Sequence, residues 1–246
     1  MVHALLPLPA FTPPGGHPRP VRAFVPPGPP RRRPLLLLFD GQNVFGDEGS
    51  HAGGWYAHEA VLGLGERTFE RPIVVGIDNG GMRRMDELGT HADRFLAGIA
   101  EDLVPRLRAR FDVSSLVIGG ASLGGLAALQ AWLTLPMFDS ALVMSPSLWY
   151  GRRALLRNVE HVPLRRTGRL YVDAGARERG RMFADAELLC ARLAGRGLGE
   201  DRLLWRPDRR GAHHERHWRR RLPKALRFLF RRSRSQKNRL RHQLNK

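Results

Sequence analysis

The stretch Val117-Ile118-Gly119-Gly120-Ala121-Ser122-Leu123-Gly124-Gly125-Leu126 constrains the fold more than any other part of the chain. An apolar, β-type segment passes through a turn of small residues into a helix-compatible segment that reaches Leu133. Gly-x-Ser-x-Gly in that setting has the form of a nucleophile elbow, where a serine hydroxyl stands at the tip of a sharp strand-to-helix turn. The backbone there is strained, and its neighbours must be small for strand and helix to approach. Gly120 and Gly124 meet that demand, with Ala121 and Gly125 beside them. The helix that follows aims free N–H groups and its positive end at the site, which suits a developing oxyanion. The competing reading is a glycine-rich turn of an ordinary α/β domain carrying an incidental serine.

The remaining chain alternates strand and helix patterns, which predicts a largely parallel sheet with helices on both faces. Residues 1–20 are rich in proline and glycine and read as a loosely ordered arm. Val21 to Pro26 reads as an edge strand. Leu35-Leu36-Leu37-Leu38-Phe39 is a continuous apolar run, the mark of a strand buried on both faces. Trp55 to Leu64 suits a helix, and Pro72 to Ile77 the next buried strand. Ala92 to Phe111 carries Phe95, Ile99, Leu103 and Leu107 at helical spacing, with Pro105 predicting a kink or break. Strands are expected over Ser115–Gly119, Ser140–Met144, Arg169–Asp173 and Arg202–Trp205. Helices are expected over Leu123–Leu135, from about Gly180 to Ala194, and from Glu215 to about Arg231. One catalytic domain is expected over residues 21–230, followed by a basic tail over 231–246.

A serine hydroxyl needs a general base within hydrogen-bond reach. In this architecture the expected chain order is serine, acid, histidine. His213, His214 and His217 cluster just past the last strand and before the final helix, where such a base must lie; His213 comes first in the loop and is slightly favoured. For the acid, Asp173 sits inside a strand pattern and Glu178 beyond Gly175 in a loop. Glu178 flanked by Arg177, Arg179 and Arg181 also fits a surface ion pair. The loop Asp40-Gly41-Gln42-Asn43 follows a buried strand, at the sheet end where open α/β folds bind ligands, and suits a second oxyanion donor. The three histidines also invite a metal reading, but no second cluster of ligands accompanies them. No cofactor is expected.

Charge adds a separate question. Lys and Arg number 41 against 23 Asp and Glu, a formal net charge of +18 carried almost wholly by arginine. Seven of the basic residues fall in 231–246, with no acid among them. Such a tail can bind nucleic acid or an anionic membrane surface. The arginines are scattered, however, and no aromatic-interleaved nucleic-acid motif is present, so no specific nucleic-acid partner is expected. Cys190 is the single cysteine, so no intramolecular disulfide can form and nothing requires an oxidising compartment. Residues 1–14 lack a cationic start and a clean apolar core, so no signal peptide is read. No run approaches the ~20 apolar residues of a membrane span. A cytoplasmic location is expected.

These residues resemble a known family. The likeness runs from about Val21 to Phe230. It is carried by Asp40-Gly41-Gln42-Asn43-Val44-Phe45, Trp55, and Ile73 to Gly80 with Arg84 and Glu87. It continues in the elbow, Ser145-Pro146-Ser147-Leu148-Trp149, Gly175-Ala176-Arg177-Glu178, and the His-x-Glu-x-x-Trp pattern of His213, Glu215 and Trp218. In that order they resemble the putative esterase family of α/β-hydrolases. That group includes ferric enterobactin esterases, feruloyl and acetyl-xylan esterases, S-formylglutathione hydrolase and the mycolyltransferases. The resemblance implies Ser122 as nucleophile, His213 as base and Glu178 as acid. It implies backbone N–H groups of Leu123 and Gln42 as the oxyanion hole, and a substrate pocket that includes Asp40, Gly41 and Trp149.

The chain departs from the family in two places. Glu87-Leu88-Gly89-Thr90 lacks the aromatic and proline that many relatives have after the acidic residue, so that wall of the pocket differs. The short segment between Trp149 and Arg169 leaves little room for a lid. The expected activity is hydrolysis of a small-molecule or polymer-linked carboxylic ester through an acyl-enzyme. Acyl transfer, or a non-catalytic binding protein using the basic surface, are the alternatives.

Overall fold

In a computed structural model, which describes residues 4–29, 31–50, 52–164, 167–233 and 236, the apolar runs assemble into one sheet. Its strands are β1 (Leu6–Phe11), β2 (Arg19–Phe24), β3 (Arg33–Phe39), β4 (Ile73–Ile77), β5 (Val113–Ala121), β6 (Ser140–Met144), β7 (Leu170–Gly175) and β8 (Leu203–Asp208). The spatial order is β1-β2-β4-β3-β5-β6-β7-β8. From β4 to β8 neighbouring strands run parallel, and β1 and β2 close one edge antiparallel.

Why the β3 run is continuously apolar follows from its place. Leu35 and Leu37 enter one core, with α2 (Ala92–Gly98), α3 (Val104–Arg110), α4 (Leu123–Thr134) and α6 (Met182–Gly195). Leu36 and Leu38 enter the other, with α1 (Ala57–Leu62) and α7 (Glu215–Leu229). Alternate side chains of a strand point to opposite faces, so a strand covered on both must be apolar at every position. This is the α/β-hydrolase fold. Its parallel strands deliver the loops after β3, β5, β6, β7 and β8 to one edge of the sheet, where the site forms.

Three segments differ from the sequence-based expectation. Residues 1–20 are not a loose arm throughout: β1 pairs with β2 through Leu6↔Ala23 and Leu8↔Val21. Phe11 is fully buried, edge-on to Phe95 at 5.7 Å. Pro7 and Pro9 looked like breakers, but proline is tolerated on an edge strand where its missing N–H faces outward. Both share one parity, so they remove two donors from one side of β1 and blunt pairing with another chain there. The helical pattern over 92–111 divides into α2, a wide turn at Ile99–Leu103 in which the Val104 N–H reaches back to the Ile99 carbonyl, and α3. That widening stands directly before Pro105, whose ring would otherwise strike the preceding turn. Finally, α5 (Tyr150–Asn158) fills the short segment after Trp149; its first turn holds Gly151, Arg152 and Arg153 at positive φ.

The basic tail lies largely outside the described residues. Its described start is tied down: Arg232 pairs with Glu70 at 2.9 Å and bonds the Glu66 carbonyl, and Arg231 bridges Phe69.

The buried Phe11 makes the edge strand testable. Phe11→Ala is expected to lower stability by about 3–5 kcal/mol, as for other buried aromatics. A urea midpoint unchanged from wild type would mean that the N-terminal segment is loosely held.

Candidate active site

Ser122 joins β5 to α4 with φ 59° and ψ −123°, a sparsely populated conformation for a residue with a side chain. Its N–H donates to the Met144 carbonyl (3.0 Å), and its own carbonyl accepts from Leu126 (3.1 Å) and Ser147 (3.0 Å). A Cβ on Gly120 would lie 2.6 Å from the Gly124 backbone, so glycine is what allows strand and helix to touch. Leu123 is the first residue of α4. Its N–H and that of Gln42 donate to no acceptor among the described residues, as expected for an amide at a helix start.

A second backbone contact brings the loops after β7 and β8 together. A Cβ on Gly175 would fall 2.4 Å from the Gly211 carbonyl group, and Arg177 N–H donates to the Gly211 carbonyl at 2.9 Å. His213 and Glu178 therefore meet. His213 Nε2 lies 2.9 Å from Ser122 Oγ, and His213 Nδ1 lies 3.2 Å from Glu178 Oε2. The imidazole stands edge-on against Trp218, 4.9 Å between centroids. The other two histidines have different surroundings. His214 caps α7, its Nδ1 accepting from the Arg216 N–H at 3.3 Å. His217 packs beside Arg216 and Arg220; partial burial and those guanidiniums hold its pKa below the usual value.

The Glu178 side chain has no exposed surface. Burial works to raise its pKa, but hydrogen bonds from His213, Ser145 and Gly175 outweigh it and the net shift is downward. Asp173, the other candidate acid, lies fully buried behind it and does not touch His213. Tyr171 Oη donates to it at 3.0 Å and Arg221 Nε sits 3.2 Å away. Burial nonetheless pushes Asp173 up to about 7.

Arg221, which sequence reasoning did not single out, and Ser145, a carrier of the resemblance without an assigned part in the site, hold this arrangement. Ser145 Oγ donates to Glu178 Oε1 at 2.5 Å and accepts from Trp218 Nε1 (2.9 Å) and Arg221 (2.8 Å). Arg221 is buried on α7 among Trp218, Leu222 and Ala225. The available signal was its phase: an arginine three residues after Trp218 falls on the buried stripe and needs a buried anion.

In front of Ser122 lies a cavity of about 320 Å³, lined by Asp40, Gln42, Trp55, Asn79, Arg84 and His213 among others. Asp40, itself left-handed at φ 57°, holds Arg84 through both carboxylate oxygens (2.6 and 2.8 Å) and accepts from Asn79 at 2.7 Å. Gln42 Oε1 accepts from the Asn79 N–H at 3.2 Å. Asn79 and Arg84 were carriers of the resemblance without an assigned part in the site. Gly41 does not line the cavity; it is buried against the backbone of Gly76 and Ile77. Nor does Trp149, which is half exposed and edge-on to Tyr150. Among the described residues no group of three or more His, Cys, Asp or Glu is placed to hold a metal ion, and no helix is long and apolar enough to cross a membrane.

Comparison with known proteins shows the family and the fold. The model of the family described as putative esterase matches residues 15–229. No curated protein matches the sequence. Among solved structures, the BES protein from Bacillus cereus is similar with a TM-score of 0.77 at 22% identity, covering 94% of this chain and 96% of that one. An enterobactin esterase from Shigella flexneri, solved in the presence of 2,3-dihydroxy-N-benzoyl-glycine, has a TM-score of 0.73 at 25% identity. It covers 92% of this chain, which spans only 59% of that enzyme. A siderophore hydrolase from Aspergillus nidulans has a TM-score of 0.69 at 20% identity, with 94% and 96% covered.

The downward shift at Glu178 carries a sign. A carboxyl whose folded pKa is depressed contributes stability that is present above its unfolded pKa and lost as pH falls through the folded value. Glu178→Gln is therefore expected to be less stable than wild type at pH 7, by about 1–3 kcal/mol for the charge-assisted bonds removed. The gap should narrow at about pH 3, below the unfolded carboxyl value of about 4.3 and toward the lower folded one. Urea denaturation at both pH values measures it; a gap that widens in acid would contradict the assigned charge.

Proposed function

The chain belongs to the putative esterase family and is a carboxylic ester hydrolase, and we propose that it works through an acyl-enzyme formed on Ser122. The observation that carries the reading is the continuous hydrogen-bonded line Ser122 Oγ, His213 Nε2, His213 Nδ1, Glu178 Oε2. Ser122 Oγ attacks the ester carbonyl carbon as His213 Nε2 takes its proton. The carbonyl oxygen becomes an oxyanion received by the N–H groups of Leu123 and Gln42, which donate to no acceptor among the described residues. Collapse breaks the bond to the alcohol, which leaves with the proton returned by His213. Water, deprotonated by the same nitrogen, then releases the acid and restores the serine. Glu178 keeps the Nδ1 proton in place and stabilises the imidazolium while it exists.

Asp40 acts on the substrate side indirectly, by holding Arg84 and Asn79 at the cavity wall. With its charge offset by Asp40, Arg84 gives that wall N–H donors, which favour esters with hydrogen-bond acceptors on a neighbouring group, siderophore and feruloyl esters among those to try. The catalytic domain of this reading is residues 21–230 with β1 added to its sheet, and a cytoplasmic location belongs to it because a single cysteine needs no oxidising compartment.

Ser122→Ala is expected to keep its fold and lose turnover by up to about 10⁶-fold. A fluorophosphonate probe should label wild type at Ser122 and leave the variant unlabelled. Near wild-type hydrolysis of p-nitrophenyl esters by the variant would end the serine mechanism.

Histidine substitutions test the base separately. His213→Ala should cost about as much as Ser122→Ala, because the two act as one unit. His214→Ala should cost about 1 kcal/mol of stability as a lost helix cap, and little turnover. An inactive, folded His214→Ala beside an active His213→Ala would move the base to the neighbouring residue.

A further inference from the structure

Among the described residues four large apolar side chains are exposed: Val25, Met82, Met85 and Trp149. Three of them lie on two segments that also bring side chains to the Ser122 site, Arg84 at the cavity wall and Ser147 beside Ser122. Met82 and Met85 belong to one helical stretch, in which the turn Gly81–Arg83 runs through Arg84 into the wide turn Asp86–Thr90. Three residues apart, they share a face, while Arg84 between them lines the cavity. Trp149 comes two residues after Ser147, whose hydroxyl is 3.2 Å from Ser122 Oγ. The two segments are in contact. The Tyr150 ring packs on Gly89, Tyr150 Oη lies 2.6 Å from Thr90 Oγ1, and Trp149 meets Tyr150 edge-on.

A substrate subsite would explain Trp149 but not Met82, which is 101% exposed. A side chain that lines a pocket is at least partly covered by the opposite wall. One that projects from the rim suits a surface broader than the cavity. Charge points to the nature of that surface. Arg83 and Arg152 are exposed on the same two segments, and Arg177 and Arg179 are exposed on the loop that carries Glu178. Asp86 is engaged by His91 at 2.5 Å. Apolar side chains projecting among cationic ones are the composition that binds an anionic lipid–water interface. The apolar groups enter the acyl boundary while the cations meet headgroups.

We propose that Met82, Met85 and Trp149 form a docking rim that sets the mouth of the cavity against an anionic lipid surface. The rim delivers Ser122 to esters held in such a surface; only that delivery rests on the ester-hydrolase reading. Binding itself does not.

The test uses the full chain with vesicles of phosphatidylcholine alone and of phosphatidylcholine mixed with phosphatidylglycerol. At low salt, wild type is expected to sediment with the anionic vesicles about tenfold more than with the neutral ones. Brominated lipid should quench part of its tryptophan emission. M82S/M85S is expected to lower anionic-vesicle retention by about tenfold, with its thermal midpoint and p-nitrophenyl acetate turnover unchanged. This variant keeps the basic tail, so equal retention of variant and wild type would show that charge alone binds and would overturn the rim. No retention of wild type would overturn it as well, as would a dimer in solution that M82S/M85S abolishes without any vesicle binding. Absence of p-nitrophenyl acetate turnover in wild type would count against the hydrolase reading and leave the vesicle result standing.

Discussion

The Glu178 carboxylate is enclosed by protein, and a bare carboxylate could not remain charged there. Ser145 and Gly175 donate to one of its oxygens and His213 approaches the other. Ser145 can donate because its own oxygen accepts from Trp218 and Arg221. Trp218 in turn presents its ring to the His213 imidazole. One hydroxyl thus couples the loop after β6, the loop after β7 and helix α7. Removing it would leave a buried carboxylate, a buried indole N–H and a buried guanidinium each short of a partner, a loss larger than that of one ordinary hydrogen bond.

Arg221 explains why Asp173 and Glu178 can coexist. Two buried carboxylates near each other cannot both ionise without a cation between them. Arg221 lies 3.2 Å from Asp173 and 3.8 Å from Glu178. The hydrogen bonds to Glu178 favour its ionised form, while burial raises Asp173 to about 7. The two acids are therefore driven apart in proton affinity. Only Glu178, the lower of the two, contacts the histidine. Asp173 serves the interior: it receives Tyr171 and Arg221 and so fixes the helix that carries Trp218.

The parts of this fold legible in the sequence are those set by local chemistry. The elbow announces itself through Gly120 and Gly124, because strand and helix must touch there. The two-sided burial of β3 is written in five consecutive apolar residues. What could not be read depends on partners distant in the chain. Pro7 and Pro9 break a helix or a central strand but suit an edge, and nothing local says which strand is at the edge. Ser145 opens a motif of the resemblance, but its part is set only when Glu178, Trp218 and Arg221 converge on it across more than thirty residues of separation each. The three histidines are equivalent as residue types. They become different only when Gly175 meets Gly211 and α7 begins, which turns His213 toward Ser122 and makes His214 a cap. The motif assigns Trp149 and Gly41 to the pocket, whereas packing leaves Trp149 half exposed against Tyr150 and sets Gly41 against the backbone of Gly76 and Ile77.

The arginine excess looks different once positions are known. Arg19 pairs with Glu87 in the interior, Arg84 with Asp40 at the cavity, Arg221 with Asp173 beneath Glu178, and Arg71 with the Glu66 side chain and the carbonyls of Leu62 and Leu64. Guanidinium groups offer five donors in a fixed plane, so they can satisfy a carboxylate and neighbouring carbonyls together. In these places arginine is a structural residue, and its charge is largely compensated within the fold. The net charge of +18 already discounts these pairs, so it measures the cations that no acid balances. The charge that matters for association is that uncompensated remainder, and Arg83, exposed between Met82 and Met85, belongs to the segment that also supplies Arg84 to the cavity. A field concentrated at the mouth acts on what approaches the serine, whereas the same charge spread evenly would act on the protein's association with any polyanion.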